Sequence, residues 1–67
     1  MKILVNGKEH NLNCDTACCN DLLKNIGLSK NGTIAEIDGK VFTVTQFNEA
    51  VIKDGSKVEL IKIMGGG

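Results

Sequence analysis

Apolar and polar residues alternate at the start of the chain, where Ile3 and Val5 flank Leu4. The Asn6-Gly7 pair that follows tolerates the positive φ angles of a tight turn. Residues 8–12 then form a second extended segment. The pattern therefore predicts a β-hairpin over residues 2–12, with Ile3 and Val5 on one face and Leu4 on the other.

The hydrophobic period changes in the next segment. Cys19, Leu22, Leu23 and Ile26 are spaced as i, i+3, i+4 and i+7, which places them on one stripe of a helix. Gly27 follows this stripe as a C-cap residue. We predict one amphipathic helix over residues 17–26.

The remainder of the chain is divided by three further turn signals, at Asn31-Gly32, Asp38-Gly39 and Asp54-Gly55. Between and after them the pattern predicts strands over 33–37, 40–44 and 57–64, with a helical turn over 45–51. Strands that flank a single helix fit an α+β fold, a mixed sheet of four to five strands wrapped on that helix. We expect residues 1–64 to form one domain.

The composition of the chain argues against several classes of function. A chain of 67 residues has a core too small to enclose an ordinary catalytic cleft, so we do not expect an enzyme. Eight basic and eight acidic residues are interspersed, and Phe42 and Phe47 are the only aromatics, which argues against nucleic-acid binding. The apolar run before Asn6 is too short for a membrane span, and we expect a cytoplasmic protein.

The sequence finishes with Gly65, Gly66 and Gly67. Three glycines add nothing to a core, and they either fray without a role or serve a partner. Without Cβ atoms, Gly65 and Gly66 are thin enough to thread a narrow channel in a partner's active site, and the carboxylate of Gly67 then becomes the group that is delivered. We predict that residues 65–67 are a flexible functional tail and that Gly67 is the attachment site.

The last predicted strand precedes this tail. If Val58 and Leu60 point into the core, the isoleucines at alternate positions are exposed on the other face, and Leu4 joins them where the first and last strands are neighbours. The alternative is that a loop covers these residues or that a bulge shifts the register. The predicted partner-binding patch comprises Leu4, Ile61, Ile63 and Met64.

The cysteines raise a different possibility. His10, Cys14 and Cys18 have three residues between neighbours, and Cys19 adds a fourth potential zinc ligand. All four lie within ten residues, whereas zinc sites usually take ligand pairs from two separated elements, so we predict no metal site. Cys18 at a helix N-terminus is a candidate reactive thiol. Whether any of the three cysteines has a redox role is left open by the sequence.

The chain resembles the thiamine-pathway sulfur carriers of the ThiS type, which share the β-grasp fold of ubiquitin and the molybdopterin synthase small subunit. The resemblance lies in MKILVNG at the start, DLL through IGL in the helix, and KDGSKVELI before the final GGG. It spans nearly the whole chain, and the order of the segments carries it more than any single motif.

This resemblance implies a mechanism in which a separate adenylyltransferase, related to ubiquitin-activating enzymes, converts the Gly67 carboxylate to an acyl-adenylate. A cysteine desulfurase or another donor supplies sulfur, and the resulting thiocarboxylate serves thiazole synthase. ATP and magnesium then belong to the activating partner, and the chain itself binds no cofactor. The alternatives are a molybdopterin-type sulfur carrier, a ubiquitin-like modifier and, with less support, a cysteine-based metal or redox module.

Overall fold

The structure is a computed structural model that describes residues 1–63. Within that range the strands are β1 (Lys2–Val5), β2 (Lys8–Asn11), β3 (Thr16–Cys18), β4 (Thr33–Ile37), β5 (Lys40–Phe42), β6 (Val51–Lys53) and β7 (Lys57–Lys62). The helix α1 spans Cys19–Ile26, and a short 3-10 helix spans Val44–Gln46.

Five of the strands form one mixed sheet in the order β2-β1-β7-β4-β5. The β1–β7 pair is parallel, and the other neighbours are antiparallel. The last strand is therefore the central one, with hydrogen-bonded partners on both sides. This arrangement confirms the predicted α+β class. The first and last strands are neighbours, which is the condition on which Leu4 was included in the predicted patch.

Two tight turns carry the hairpins, as the sequence predicted. Asn6 and Gly7 have φ angles of 50° and 83°, and Asp38 and Gly39 have φ angles of 50° and 88°. Positive φ at both central positions matches the right-handed twist of the flanking strands, which is why Asn-Gly and Asp-Gly are favoured there. These turns fix the register of β1–β2 and β4–β5.

The core lies between α1 and one face of the five-stranded sheet. The helix contributes Cys19, Leu22 and Leu23, all of which are buried, and Ile26 packs at its margin. The sheet and loops supply the remaining buried apolar residues: Ile3, Val5, Leu12, Ala35, Ile37, Phe47, Ala50, Ile52 and Val58. We call the face that contacts α1 the inner face of the sheet and the opposite face the outer face.

The predicted start of the helix was wrong by two residues. Ala17 and Cys18 belong to β3, which pairs with β6 in a separate two-stranded sheet that places Ala17 opposite Ile52. Cys18 has the extended backbone of an N-cap residue, and the helix begins at Cys19. Neither three-residue strand was predicted, because so short a segment shows no hydrophobic period.

Three other boundaries also shift. The strand predicted over 40–44 ends at Phe42, because Thr43 caps the 3-10 helix and its N–H donates to Gln46 Oε1 at 2.9 Å. Val51, predicted as the end of a helical turn, instead begins β6. The last strand ends at Lys62, and Met64 lies outside the described residues.

Over residues 1–63, α1 is the one α-helix, and it is much too short to cross a lipid bilayer.

Candidate partner-binding surface

The central strand β7 leads into residues 64–67, and its side chains alternate as predicted. Val58 is fully buried and Leu60 packs against the core, whereas Ile61 is 53% exposed and Ile63 is 60% exposed. The period of two along a strand explains this separation. The predicted exposure of the isoleucines is therefore confirmed, and no loop within residues 1–63 covers them.

An asparagine side chain holds β7 where β1 has ended. The Asn6 N–H donates to the Val58 carbonyl at 2.8 Å. The Asn6 side-chain amide then continues the ladder: Oδ1 accepts from the Leu60 N–H at 2.8 Å, and Nδ2 donates to the Leu60 carbonyl at 3.4 Å. A carboxamide offers the same donor and acceptor as a peptide group, so Asn6 extends the pairing beyond the last residue of β1.

The other side of β7 is held by the loop that precedes β4. The Lys62 ammonium donates to the carbonyls of Ser29 and Asn31 at 3.1 and 3.2 Å, and the Ile63 N–H donates to the Gly32 carbonyl at 2.8 Å. The charged end of Lys62 is thus tied to this loop. β7 is therefore held on the β1 side as far as Leu60, and on the β4 side as far as Ile63, the last described residue.

Strand register defines the outer face around β7. Ile61 is opposite Ile34 on β4, and Val41 on β5 is opposite Glu36. Val41 is 58% exposed and Ile34 is half-buried. Sequence analysis missed Ile34 and Val41. The alternation of 33–37 and the Asp38-Gly39 turn relate these two residues to each other, but their position near Ile61 depends on the β4–β7 register, which local sequence does not specify.

Leu4 also lies on the outer face, at 38% exposure. Its partner on β7 is Lys57 rather than Ile61, which is four residues further along the strand. That offset corresponds to about 13 Å at 3.3 Å per residue. Leu4 and Ile61 thus lie on the same face but at opposite ends of β7, with Glu59 between them.

The cysteines occupy three different environments. Cys19 is buried in the core, and burial, followed by the neighbouring Cys18, raises the pKa of the Cys19 thiol to about 11. The thiol of Cys18 donates to Asp21 Oδ2 at 3.2 Å, whereas Cys14 is exposed. Cys19 is thus unavailable as a metal ligand without opening the core.

The carboxylate of Asp21 is engaged at the start of the helix. The hydrogen bonds from the Cys18 thiol and, secondarily, from its backbone N–H lower the pKa of Asp21, which is therefore committed to the helix start. An open groove of about 380 Å³ beside α1 is lined by polar ends such as Asn20, Lys24 and Asn48. Across residues 1–63, no group of three or more His, Cys, Asp or Glu side chains is placed to hold a metal ion.

The predicted tail residues Gly65, Gly66 and Gly67, together with Met64 of the predicted patch, lie outside the described residues. The structure does place the residue before them, Ile63, which directly follows the end of β7 and is exposed, as Ile61 is. The binding role of these residues stays a prediction.

Comparison with known proteins gives a consistent result. The model of the ThiS family matches residues 3–67. The crystal structure of thiamine biosynthesis protein ThiS from Geobacter metallireducens is similar at a TM-score of 0.84, with 29% identity and complete coverage of both chains. An NMR solution structure of a thiamine biosynthesis protein from Geobacter metallireducens has a TM-score of 0.77 and 29% identity, covering all of this chain and 88% of the other. No curated protein matches the chain. The similarity confirms the predicted β-grasp class.

Proposed function

This chain belongs to the ThiS family, the small sulfur carriers of thiamine biosynthesis, and from that premise we propose that Gly67 is the residue that carries the sulfur. The proposal is supported above all by the position of β7, which is central, fixed on both sides and continuous in sequence with the three glycines. The family match also extends to residue 67. A firmly held strand gives a partner a fixed base from which to take up residues 64–67.

The chemistry requires activation of a poor electrophile. A C-terminal carboxylate has a reference pKa near 3.3–3.7 and is therefore ionised at neutral pH. Attack of a Gly67 carboxylate oxygen on the α-phosphorus of ATP forms an acyl-adenylate and releases pyrophosphate. When the donor is a desulfurase persulfide, its terminal sulfur attacks the acyl carbon and displaces AMP, which leaves an acyl disulfide. A thiol such as free cysteine then attacks the donor's sulfur in this disulfide, forms a mixed disulfide with the donor and releases the Gly67 thiocarboxylate.

The chain needs partners for each of these steps. We propose that a ubiquitin-activating-enzyme-like adenylyltransferase supplies ATP and magnesium, that a cysteine desulfurase or another donor supplies sulfur, and that thiazole synthase receives it in the cytoplasm. Gly65 and Gly66 pass through the partner's active-site channel because they have no side chains. The carrier binds no cofactor of its own.

The patch of Leu4, Ile61, Ile63 and Met64 is proposed as the surface that the activating partner contacts, and Ile34 and Val41 extend it across β4 and β5. Support comes from the exposure of Leu4, Ile61, Ile63 and Val41. The opposite face of the sheet contributes core residues, among them Ile3, Ala35 and Val58. Exposed apolar side chains clustered on one face are typical of protein interaction sites.

Intact-mass measurement tests the proposal. The chain is incubated with the adenylyltransferase of its own organism, ATP, magnesium, cysteine and a cysteine desulfurase. We expect an adenylated species and then a product in which one oxygen has been exchanged for sulfur. A variant that lacks Gly67 should give neither species and should melt within about 1 °C of the full chain, because a terminal glycine contributes nothing to the core.

Two outcomes would contradict the proposal. Protein-sized adducts on lysine side chains would indicate a modifier of the ubiquitin kind. A chain that is thiocarboxylated but transfers sulfur only to a molybdopterin precursor, and not to a reconstituted thiazole synthase, would place the carrier in another pathway.

A further inference from the structure

Two glutamates lie directly opposite each other at the centre of the outer face. Glu36 on β4 and Glu59 on β7 are cross-strand partners, and both are half-buried. Directly opposed residues on antiparallel strands have Cβ atoms about 4.5–5.5 Å apart. The two carboxylates are thus held close together, one on β7, the strand that leads to residues 64–67, and one on its neighbour β4.

This pairing is unfavourable for the isolated domain, because like charges directly opposite each other destabilise a sheet. Among residues 1–63, no side-chain hydrogen bond involves either carboxylate, and the ammonium of Lys62 is occupied by Ser29 and Asn31. Lys57, two positions from Glu59 along β7, is the lysine nearest to the pair by register on this face. One exposed lysine against two carboxylates leaves the centre of the outer face negative.

Apolar residues surround the acidic pair. Ile61 and its partner Ile34 lie on the side towards the tail, Val41 lies next to Glu36, and Leu4 lies on the far side, beside Lys57. A partner seated on these residues would remove water from the carboxylates. A charge pair that is shielded from water contributes more to binding than one at an exposed rim.

We propose that Glu36 and Glu59 together receive one arginine side chain from the activating partner, with the surrounding apolar residues closing over it. A guanidinium presents several N–H donors in one plane, so a single arginine can donate hydrogen bonds to both glutamates and offset one of their two negative charges. The arginine comes from another protein, since all eight basic residues of this chain are lysines. This inference rests on the proposed function, because it names the partner as the adenylyltransferase.

The test compares Glu36→Gln, Glu59→Gln and the double variant with the matched control Glu49→Gln, an exposed glutamate outside the five-stranded sheet. Dissociation constants are measured with the purified adenylyltransferase of the same organism at two salt concentrations. We expect each single variant to bind about tenfold more weakly, as for loss of a hydrogen bond to a charged group, and to show a smaller salt dependence. The control should bind as the unmodified chain does.

Stability separates this role from a structural one. Removing one of two opposed charges relieves repulsion, so the glutamine variants should melt at the same temperature as the unmodified chain or higher. Weaker binding together with lower stability would overturn the proposal, as would unchanged binding in the double variant.

A chemical probe tests the nature of the partner residue. An arginine-specific dicarbonyl reagent should inactivate binding by the adenylyltransferase, and the unmodified chain should protect against this reaction more strongly than the double variant does. Equal protection by both chains would overturn the assignment to arginine. If the unmodified chain is not adenylated at all, both the inference and the proposed function fail, whereas normal adenylation with unaffected glutamine variants overturns only the inference.

Discussion

The two faces of the five-stranded sheet use the same strands for opposite purposes. On the inner face, Ile3, Val58 and Ala35 are buried against the helix. On the outer face, the residues that alternate with them include two opposed glutamates and an isoleucine that is 53% exposed. The inner face is what a small domain needs in order to fold, whereas the outer face has groups that contribute little to stability or reduce it.

The difference separates the residues that this small chain needs for folding from the residues that are available for binding a partner. A domain of 67 residues has a limited core and therefore little stability to spare. An exposed isoleucine adds nothing to that core, and an opposed pair of acidic residues reduces the stability of the sheet. Both lie on the outer face. Ile61 and Glu59 are on β7, the strand that leads to residues 64–67, and Glu36 is on the neighbouring β4. Changes on the inner face should therefore alter folding, and changes on the outer face should alter partner recognition with folding preserved.

The largest effect is expected in the core, between α1 and the inner face of the sheet. Leu22 is completely buried at the centre of the helical stripe. Leu22→Ala should lower the free energy of unfolding by about 2–5 kcal/mol, because it removes buried methyl groups and leaves a cavity. Urea denaturation followed by circular dichroism measures this loss.

Val41→Ala is the matched control on the outer face, since Val41 is 58% exposed. Its free energy of unfolding should change by no more than about 0.5 kcal/mol. Comparable losses for Leu22→Ala and Val41→Ala would show that the two faces are not separated in the way proposed.

A charge on the outer face should break recognition instead. Ile61→Asp places a carboxylate in the predicted patch, and we expect binding to the adenylyltransferase to weaken by about 5- to 30-fold, equivalent to about 1–2 kcal/mol. The melting temperature should fall only slightly. Steady-state adenylation kinetics, with the carrier as the varied substrate, measure the effect as an increase in KM.

Val51→Asp controls for the general effect of adding a charge. Val51 is 56% exposed, close to the value for Ile61, but lies on β6 outside the five-stranded sheet. Its adenylation kinetics should match those of the unmodified chain. An equal increase in KM for both variants would remove the case for a localised patch.

The core could be predicted from the sequence because its residues follow clear periods. Cys19, Leu22 and Leu23 have helical spacing, and the hairpin turns are marked by Asn-Gly and Asp-Gly pairs. The β3–β6 pair could not be predicted, because two three-residue strands joined through distant parts of the chain show no period of their own. Their pairing depends on tertiary contacts.

The outer face was predicted only in part. Alternation along the last strand identified Ile61 and Ile63, but the opposition of Glu36 and Glu59 depends on the β4–β7 register, which local sequence does not specify. Asn6 was recognised as a turn residue, and its second role beside Leu60 followed only from the parallel pairing of β1 with β7.

That second role of Asn6 can be tested separately from its turn. Asn6→Gly removes both side-chain hydrogen bonds to Leu60 while tolerating the positive φ of 50°. We expect a loss of about 1 kcal/mol in the free energy of unfolding and faster hydrogen exchange at the Leu60 amide. Asn6→Asp keeps an acceptor for the Leu60 N–H and should protect that amide better than glycine does. Equal exchange rates in the two variants would show that the Asn6 side chain does not hold β7 at Leu60.

The smallest effect on stability is expected at the start of α1, which lies outside the sheet and does not take part in its outer face. Hydrogen bonds from the Cys18 thiol and N–H lower the pKa of Asp21 below its ordinary value of 3.8 in the folded chain. A carboxyl group with a depressed folded-state pKa stabilises the fold above its unfolded pKa, and this contribution is lost as the pH falls through the folded value. Asp21→Asn should therefore melt slightly below the unmodified chain at pH 6, and the difference should shrink below about pH 3.8. Melting curves across this range measure the effect on stability, and adenylation at neutral pH measures any effect on partner recognition. A difference in melting temperature that grows on acidification would show that Asp21 acts through something other than the helix start. So would a loss of adenylation without loss of fold.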